Sequence, residues 1–592
     1  MPKKDKAKNM NSLFHLFSYL KPYRIRLIIG VLLAIVGMLF TIFGPYLAKL
    51  IIEEITLSVE SSEMMNFARI AYLGGLGVGA YLLAFVGNYG LAIIMSGVTA
   101  DASKALRKDM SMKMNRLPLS YFDSRQIGDV LSIITNDVDT IGQTLNQSLT
   151  TLMTSILTLL GVAVMMLCLD YRLALIAIAF VPLSLFVLLR IVKKSQTHFV
   201  KQQLDLGDMN AHAEEVYSSV NVIKVYGADK HAKERFNEIN TNLYNDGFKS
   251  LFYSGSSFPI TTLMGNLSFA IICIVGGLIA VKNWQMIGTI VACVTYSKQF
   301  TMPLSQIATI STNLQSASAA AKRVFDFLSE KEQKDESMLT DKFSEVNGNV
   351  TFSHVKFGYN PDKIIIHDFN LETKAGMKVA IVGPTGAGKT TMVNLLMRFY
   401  DVNEGYIAIE GKKTNEVNRS LVRSNFAMVL QDTWLFEGTI LENLKFGRQD
   451  ATLKEIEEAC RLTHCDTFIE QLPGGYNFML SEESALSAGQ KQLLTIARAM
   501  IQGAPMLILD EATSSVDTRT ELLIQEAMDN LAKGHTSFVI AHRLSTIKNS
   551  DLIIVMKDGD VIETGNHDEL MMKKGFYADL YNSQFANGGV SE

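Results

Sequence analysis

Gly383-Pro384-Thr385-Gly386-Ala387-Gly388-Lys389-Thr390, preceded by the apolar Lys378-Val379-Ala380-Ile381-Val382 and followed by Thr391-Met392-Val393-Asn394-Leu395-Leu396, decides the fold of the second half of this chain. The pattern is a strand, a glycine-rich loop and a helix. Glycines let backbone amides close around phosphate oxygens, and the helix that begins at the end of the loop turns its positive pole toward them. Lys389 brings a point charge to the β- and γ-phosphates, and the Thr390 hydroxyl suits Mg2+. Gly383, Pro384, Thr385, Gly386, Ala387, Gly388, Lys389 and Thr390, with Thr391 behind them, form the candidate triphosphate cradle.

A second apolar strand, Met506-Leu507-Ile508-Leu509, runs into Asp510-Glu511. Open α/β sheets bind ligands at the carboxyl ends of their strands, so these acids belong at the edge that carries the phosphate loop. Asp510 is suited to hold Mg2+ through its water shell. Glu511 is suited to orient and deprotonate an attacking water, because phosphoryl transfer depends mainly on positioning and charge stabilisation. Without the phosphate loop, the same pair reads as a solvated strand end.

Outward from these motifs the chain changes character. At 592 residues it exceeds one ordinary domain. From Asn349 onward, short strand-like and helix-like patterns alternate with glycine-rich turns, whereas up to about Asn313 long apolar stretches alternate with polar loops. A net charge of −4 argues against a nucleic-acid partner held by electrostatics. The cysteines, Cys168, Cys273, Cys293, Cys460 and Cys465, show no disulfide framework and suit a reducing cytoplasm. Cys460, His464 and Cys465 lack a second ligand pair, so helix packing accounts for them better than a metal does.

A bilayer core of about 30 Å needs roughly 20 mainly apolar residues as helix. Six segments qualify, near Leu27 to Ile52, Ile70 to Met95, Leu149 to Leu169, Leu173 to Leu189, Phe258 to Val281 and Ile287 to Ile310. The loop from Glu53 to Asn66 holds acids but no Lys or Arg, while Gly97 to Asn146 and Arg190 to Ser256 hold many. The positive-inside rule makes those two stretches cytoplasmic, along with Lys3, Lys4, Lys6 and Lys8, both chain termini and the soluble half. The lead containing Phe14, Phe17 and Leu20 reads as an interfacial helix feeding the first span, not as a signal peptide. Helical periodicity in both cytoplasmic stretches extends the spans well beyond the bilayer. Lys298, in the least oily segment, either faces a cavity or snorkels. Asn88 and Asn266 either line a path or bond between helices, and Met165 and Met166 read as lipid-facing or as core packing.

Between the two strands of the soluble half lies Leu486-Ser487-Ala488-Gly489-Gln490, followed by Lys491-Gln492-Leu493-Leu494-Thr495-Ile496-Ala497-Arg498-Ala499. This resembles the signature motif and helix of the ABC transporter family, and the resemblance covers nearly the whole chain. It implies that Ser487, Ala488, Gly489 and Gln490 cap the ATP held by a partner's phosphate loop, and therefore a dimer with two ATP sites. Physically, Ser487, the Gly489 amide and the helix start make a second anion-binding end. Tyr359, in Val355-Lys356-Phe357-Gly358-Tyr359, matches the family's adenine-stacking aromatic, and Gln431 matches the loop glutamine that contacts Mg2+ and water. Ser514-Ser515-Val516-Asp517 matches the loop crossing the dimer interface, and His542, after Phe538-Val539-Ile540-Ala541, the switch histidine on the γ-phosphate.

Leu117-Pro118-Leu119-Ser120-Tyr121-Phe122-Asp123 and Gly128-Asp129-Val130, leading to Asn136-Asp137-Val138, resemble the first cytoplasmic loop of ABC exporters. Glu214-Glu215 through Asn221-Val222-Ile223-Lys224-Val225-Tyr226-Gly227 resembles the second. In that family the loops carry coupling helices that rest on the motor domains. Trp434, Phe436 and Glu437, near Gln431, either transmit motion or pack locally.

Two departures stand out. Ala488 replaces the family's usual Gly, and Leu480-Ser481-Glu482-Glu483-Ser484-Ala485 lacks the usual Gly-Glu-Arg-Gly. An added methyl crowds a close backbone approach, while Glu511 and His542 remain intact. That combination resembles the catalytically intact chain of bacterial heterodimeric multidrug exporters. The expectation is an N-terminal tail and elbow helix (1–26), an α-helical polytopic membrane domain of six transmembrane helices (27–315), a linker (316–348) and an α/β P-loop ATPase domain (349–592). ATP and Mg2+ are the implied cofactors. A second half-transporter chain, the lipid bilayer and a hydrophobic small-molecule cargo are the implied partners, with no nucleic acid. The implied activity is ATP-driven export of amphipathic small molecules, as in multidrug efflux; a lipid flippase and a homodimeric exporter are the alternatives.

Overall fold

The computed structural model describes residues 16, 18–61, 64–360, 362–431, 433–481, 486–510, 517–540 and 547–586. The chain divides into two compact units, Met1–Arg116 with Gln126–Lys331, and Leu117–Arg125 with Glu332–Glu592.

Long helices build the first unit: α1 (Arg24–Ser61), α2 (Phe67–Met114) and, beyond the short α3 (Leu119–Asp123) of the other unit, α4 (Val138–Leu169), α5 (Tyr171–Ser218), α6 (Val220–Tyr226), α7 (Asp229–Ala280), α8 (Met286–Gln299) and α9 (Thr301–Ser329). Among the described residues, five helical segments are long and apolar enough to cross a membrane, those containing α1, α2, α4, α5 and α7. The sixth expected span is divided. α8 ends after 14 residues, and α9 starts at Thr301 beside Pro303. Pro303 has no N–H to give the Gln299 carbonyl, so the ladder is interrupted there. The 52 residues of α7 reach about 78 Å at 1.5 Å per residue, far beyond a bilayer, as the periodicity of the cytoplasmic stretches predicts.

Small residues and polar bridges hold this unit together. A Cβ on Gly87 would lie 2.9 Å from the Gly37 amide nitrogen, so α1 and α2 meet backbone to backbone. Hydroxyls join helices elsewhere: Tyr296 donates to the Ile42 carbonyl at 2.5 Å near Pro45 of α1, and Ser268 meets Ser297 at 3.0 Å. Such bridges matter in lipid, where an unmatched backbone or hydroxyl group has no water to turn to. Met166 is buried in the same core and Met165 packs against it. Of the N-terminal lead, Leu20 is buried against Val98 and Ala102, while Phe14 and Phe17 lie outside the described residues.

In the second unit, an antiparallel sheet of order β2-β1-β4-β5 pairs β1 (Val350–Phe357), β2 (Ile366–Thr373), β4 (Glu404–Ile409) and β5 (Lys412–Lys413). A larger sheet of order β12-β11-β3-β10-β9-β6 contains β3 (Lys378–Val382), β6 (Phe426–Val429), β9 (Met506–Asp510), β10 (Thr536–Ile540), β11 (Leu552–Lys557) and β12 (Asp560–Gly565). Every pairing in it is parallel except β11 with β12. The short β7 (Gly438–Thr439) and β8 (Met479–Leu480) pair with each other.

The parallel sheet is covered on both faces, which is why its strands read as unbroken apolar runs. Val379 and Ile381 enter a core with Met392, Leu395 and Leu396 of α10 (Lys389–Leu396). Ala380 and Val382 enter the opposite core with Leu493, Leu494 and Ala497 of α11 (Ala488–Gln502) and Ile524 of α12 (Thr518–Ala532). Entry to this unit is pinned by Glu336, whose buried carboxylate takes Arg398 at 2.6 Å and the Arg419 side chain at 3.0 Å. A carboxylate between two guanidiniums is a partnered buried charge, the condition under which burial is tolerated.

Candidate functional site

Parallel pairing fixes the geometry of the site. Ile540 of β10 is in register with both Ile381 of β3 and Asp510 of β9, and Val429 of β6 is in register with Leu509. The carboxyl ends of β3, β10, β9 and β6 therefore share one edge, from which the phosphate loop, Asp510 and Gln431 all emerge. Glu511 follows Asp510 and His542 follows β10 in sequence; both lie outside the described residues, as do Ser514, Ser515 and Val516. Their neighbour Asp517 caps α12, accepting from the Arg519 and Thr520 amides at 3.1 and 3.0 Å. The Thr520 amide bond holds its carboxyl below the usual range.

The loop leaves β3 where no side chain fits. A Cβ on Gly383 would stand 2.2 Å from the Met556 carbonyl oxygen of β11. Gly388 caps α10 at φ +101°, a conformation that disfavours any side chain. Pro384, Thr385, Gly386 and Thr390 are exposed, while Ala387 and Lys389 are buried. The Lys389 ammonium donates to the Gly383 and Pro384 carbonyls at 2.7 and 3.1 Å, folding back inside its own loop. Burial lowers its pKa, and Asp510 opposes that shift, a sign that the two charges address the same small region.

Tyr359 stands beside this loop with 41 % of its surface exposed. Its hydroxyl receives Asn394 Nδ2 at 3.0 Å and donates to Thr391 Oγ1 at 3.4 Å, so α10 itself orients the ring. Thr391 is buried and faces Tyr359. The donors that suit Mg2+, Thr390, Gln431 and Asp510, are all oxygens, the hard ligand type this ion takes. Thr390 and Gln431 are exposed and Asp510 is half-buried, so the set opens to solvent at the strand edge.

The predicted anion-binding end of α11 is organised by a capping box. Ser487 Oγ accepts from the Gln490 amide at 3.2 Å, and Gln490 Oε1 accepts from the Ser487 amide at 2.9 Å. An oxygen that accepts an amide keeps its own proton for an outside acceptor, and the first-turn amides of Ala488 and Gly489 have no intrahelical partner by helix geometry. Ala488 is exposed and Gly489 buried, which puts the extra methyl on the outer side of this helix start.

Asn443 escaped the reading of the sequence. Its buried amide brackets Phe436, accepting the backbone N–H at 3.1 Å and donating to the carbonyl at 2.9 Å. Arg498 of α11 donates to the Asn443 side chain and carbonyl and to the Trp434 carbonyl. The stretch after Gln431 is thereby tied to the signature helix. Trp434, Phe436 and Phe446 form an aromatic cluster there, and Thr433 to Glu437, Leu480, Ser481 and Lys491 line a cleft of about 460 Å3. Cys460 and Cys465 are buried in the adjoining core, and His464 faces Glu526 at 3.3 Å. In the other unit, Lys298 is exposed with its ammonium 5.2 Å from the Phe269 ring centre, Asn88 sits against Gly37 of α1, and Asn266 is exposed.

The family described as "ABC transporter transmembrane region" matches residues 27–304, and that described as "ABC transporter" matches residues 366–514. The chain is 45 % identical over 525 residues to the fatty acid ABC transporter ATP-binding/permease protein of Mycobacterium bovis (strain ATCC BAA-935 / AF2122/97), covering 88 % of this chain and 83 % of that one. It is 32 % identical to a protein of Bacillus subtilis (strain 168) named for multidrug export, covering 96 % and 98 %. Among solved structures, a bacterial Atm1-family ABC exporter with ATP bound superposes with a TM-score of 0.77 at 27 % identity, covering 96 % of this chain and 99 % of that one.

Proposed function

The chain belongs to the ABC transporter family, and from that premise we propose that it is one half of a dimeric, heterodimeric exporter that uses ATP to move amphipathic small molecules, as in multidrug efflux, across the cytoplasmic membrane. It is an ATP-hydrolysing, multi-pass membrane transporter with its ATPase domain on the cytoplasmic side. The observation that carries the ATP-driven part of this reading is the shared strand edge, from which the phosphate loop, Asp510 and Gln431 all emerge.

In this reading Tyr359 stacks the adenine, the loop amides and Lys389 hold the phosphates, and Thr390, Gln431 and, through water, Asp510 would hold Mg2+, which would shield charge on the transferring phosphoryl group. Glu511 orients the attacking water and takes its proton. His542 donates to the γ-phosphate. Ser487, Ala488, Gly489 and Gln490 close over the partner's nucleotide. Closure of the paired motors favours the outward-facing membrane half because ATP binds the closed state more tightly, and hydrolysis removes that bias. The exposed Tyr217, Val222, Val225 and Tyr226, on and beside α6, suit the second loop for docking on a motor domain. Support for the heterodimer is Ala488 beside an intact Glu511 and His542. ATP turnover of the chain reconstituted alone in lipid, beside the chain with a co-purified partner, tests it. Turnover only with the second chain, abolished by Glu511→Gln, is expected; turnover alone makes it a homodimer, and turnover unaffected by Glu511→Gln removes Glu511 as the base.

One observation favours a second cargo reading, an anionic amphiphile such as a fatty acid. Lys298 is an exposed cation in an apolar stretch, where a charge must face protein or water. The 45 % identical relative is named for fatty acids. Stimulation of ATP turnover by a long-chain fatty acid, lost in Lys298→Ala, is the expected result, and equal stimulation in both proteins rejects this reading.

A further inference from the structure

Leu117–Arg125 packs with the motor unit although the chain on either side belongs to the membrane unit. Within this segment α3 starts after Pro118 and ends at Asp123, and the buried Tyr121 carries the Arg125 guanidinium 4.0 Å over its ring. An acid in the last turn of a helix opposes the helix dipole, so Asp123 does not serve α3 itself. Its partner is Tyr400, whose hydroxyl donates to Asp123 Oδ2. The same Tyr400 ring stands edge-on to Tyr359, with centroids 4.9 Å apart at 86°, and lies 5.8 Å from Phe357. Burial first, then the Asp123 contact, raises the pKa of Tyr400 and keeps its hydroxyl a donor at neutral pH. Tyr359 in turn is bonded to Asn394 and Thr391 of the phosphate-loop helix.

We propose that Tyr400 is a positioning residue that ties the ring of Tyr359 to α3, so that nucleotide occupancy and the placement of α3 are energetically coupled. The proposal rests on Tyr359 being the base-stacking ring. A base lying on Tyr359 restricts its tilt, an edge-on neighbour follows that restriction, and the Tyr400 hydroxyl passes it to the end of α3. Coupling of this kind is reciprocal, so α3 also sets nucleotide affinity by the same factor.

The test uses the assembled transporter in lipid vesicles, with ATP turnover measured across ATP concentrations. Tyr400→Phe keeps both ring contacts and removes only the hydroxyl. The apparent affinity for ATP is expected to fall about tenfold, read as a KM raised by that factor and within the range of measured couplings, with turnover at saturating ATP within about twofold of the parent. Asp123→Ala is expected to match it, the double variant to be no worse than either single one, and Asp123→Asn, whose amide oxygen still accepts, to keep the KM for ATP near the parent's. Additive losses, an Asn variant no better than Ala, an unchanged KM, or a fall in saturating turnover without a change in KM would each overturn the coupling. Glu511→Gln serves as the reference: if it abolishes turnover while the Tyr400–Asp123 pair proves additive, the ATPase reading stands and only this proposal falls.

Discussion

In the motor half, Val379, Ala380, Ile381 and Val382 of β3 are all buried, alternate residues entering opposite cores. In the membrane half, α1 leaves Ile25, Ile28, Leu32, Val36 and Leu39 exposed although its apolar run is far longer than any motor strand. Both are hydrophobic runs, but their solvents differ. A strand in water buries apolar surface to gain stability, whereas a helix in lipid gains nothing by hiding Leu from acyl chains and is held by close packing and polar bridges instead. The two halves therefore place their vulnerable points differently: the motor at backbone positions around phosphate, the membrane half where glycines and buried charges meet.

The largest effect expected from this contrast is in the motor. Lys389→Met should lower ATP turnover more than about a hundredfold, near 3 kcal/mol of lost transition-state stabilisation, while the folded protein survives. Turnover within tenfold of the parent would break the motor side of the comparison. Next is Gly87→Val, which drives a side chain into the Gly37 backbone and should destabilise the membrane half by about 2 kcal/mol, read as a lower thermal midpoint with the ATP KM unchanged. An unaltered midpoint would mean that α1 and α2 are not held by backbone contact. Asp137→Ala leaves Arg323 of α9 without the carboxylate it grips at 2.7 and 2.5 Å. Because that guanidinium is half-exposed, the loss should be only about 1 kcal/mol, and Arg323→Lys should fail to avoid it, since an ammonium cannot make the bidentate pair. The smallest effect is expected at the signature. Ala488→Gly should raise turnover by less than about threefold, because in the proposed pair this signature caps the partner's nucleotide while the site that holds Glu511 carries most of the turnover; a tenfold rise would make Ala488 the limiting feature of its ATP site.

Legibility in the sequence differed between the halves. The phosphate loop, Asp510 and the start of the signature helix were readable because each is a local run whose chemistry involves adjacent residues. Five of the expected spans were equally plain from length. The division of the sixth at Phe300 was not, although Pro303 was its available signal, because an apolar window runs across the break. Asn443 gave no sign at all: a single Asn in a short helix reads as surface, and only the loop folded around it makes it a bracket for Phe436. Asp123 and Asp137 were visible as parts of loop motifs, yet their partners were not.

What the sequence by itself determined is whatever depends on neighbours along the chain: strand, glycine loop and helix around Lys389, and the length of five spans. Only the tertiary structure decided the pairs that close the molecule. Tyr400 and Asp123 are 277 positions apart, Arg323 and Asp137 186 apart, and Arg498 and Asn443 55 apart. Periodicity encodes which face an element buries, but it carries no term for what that face meets; a hydrogen bond between distant residues exists only once packing has fixed both donors and acceptors in one place.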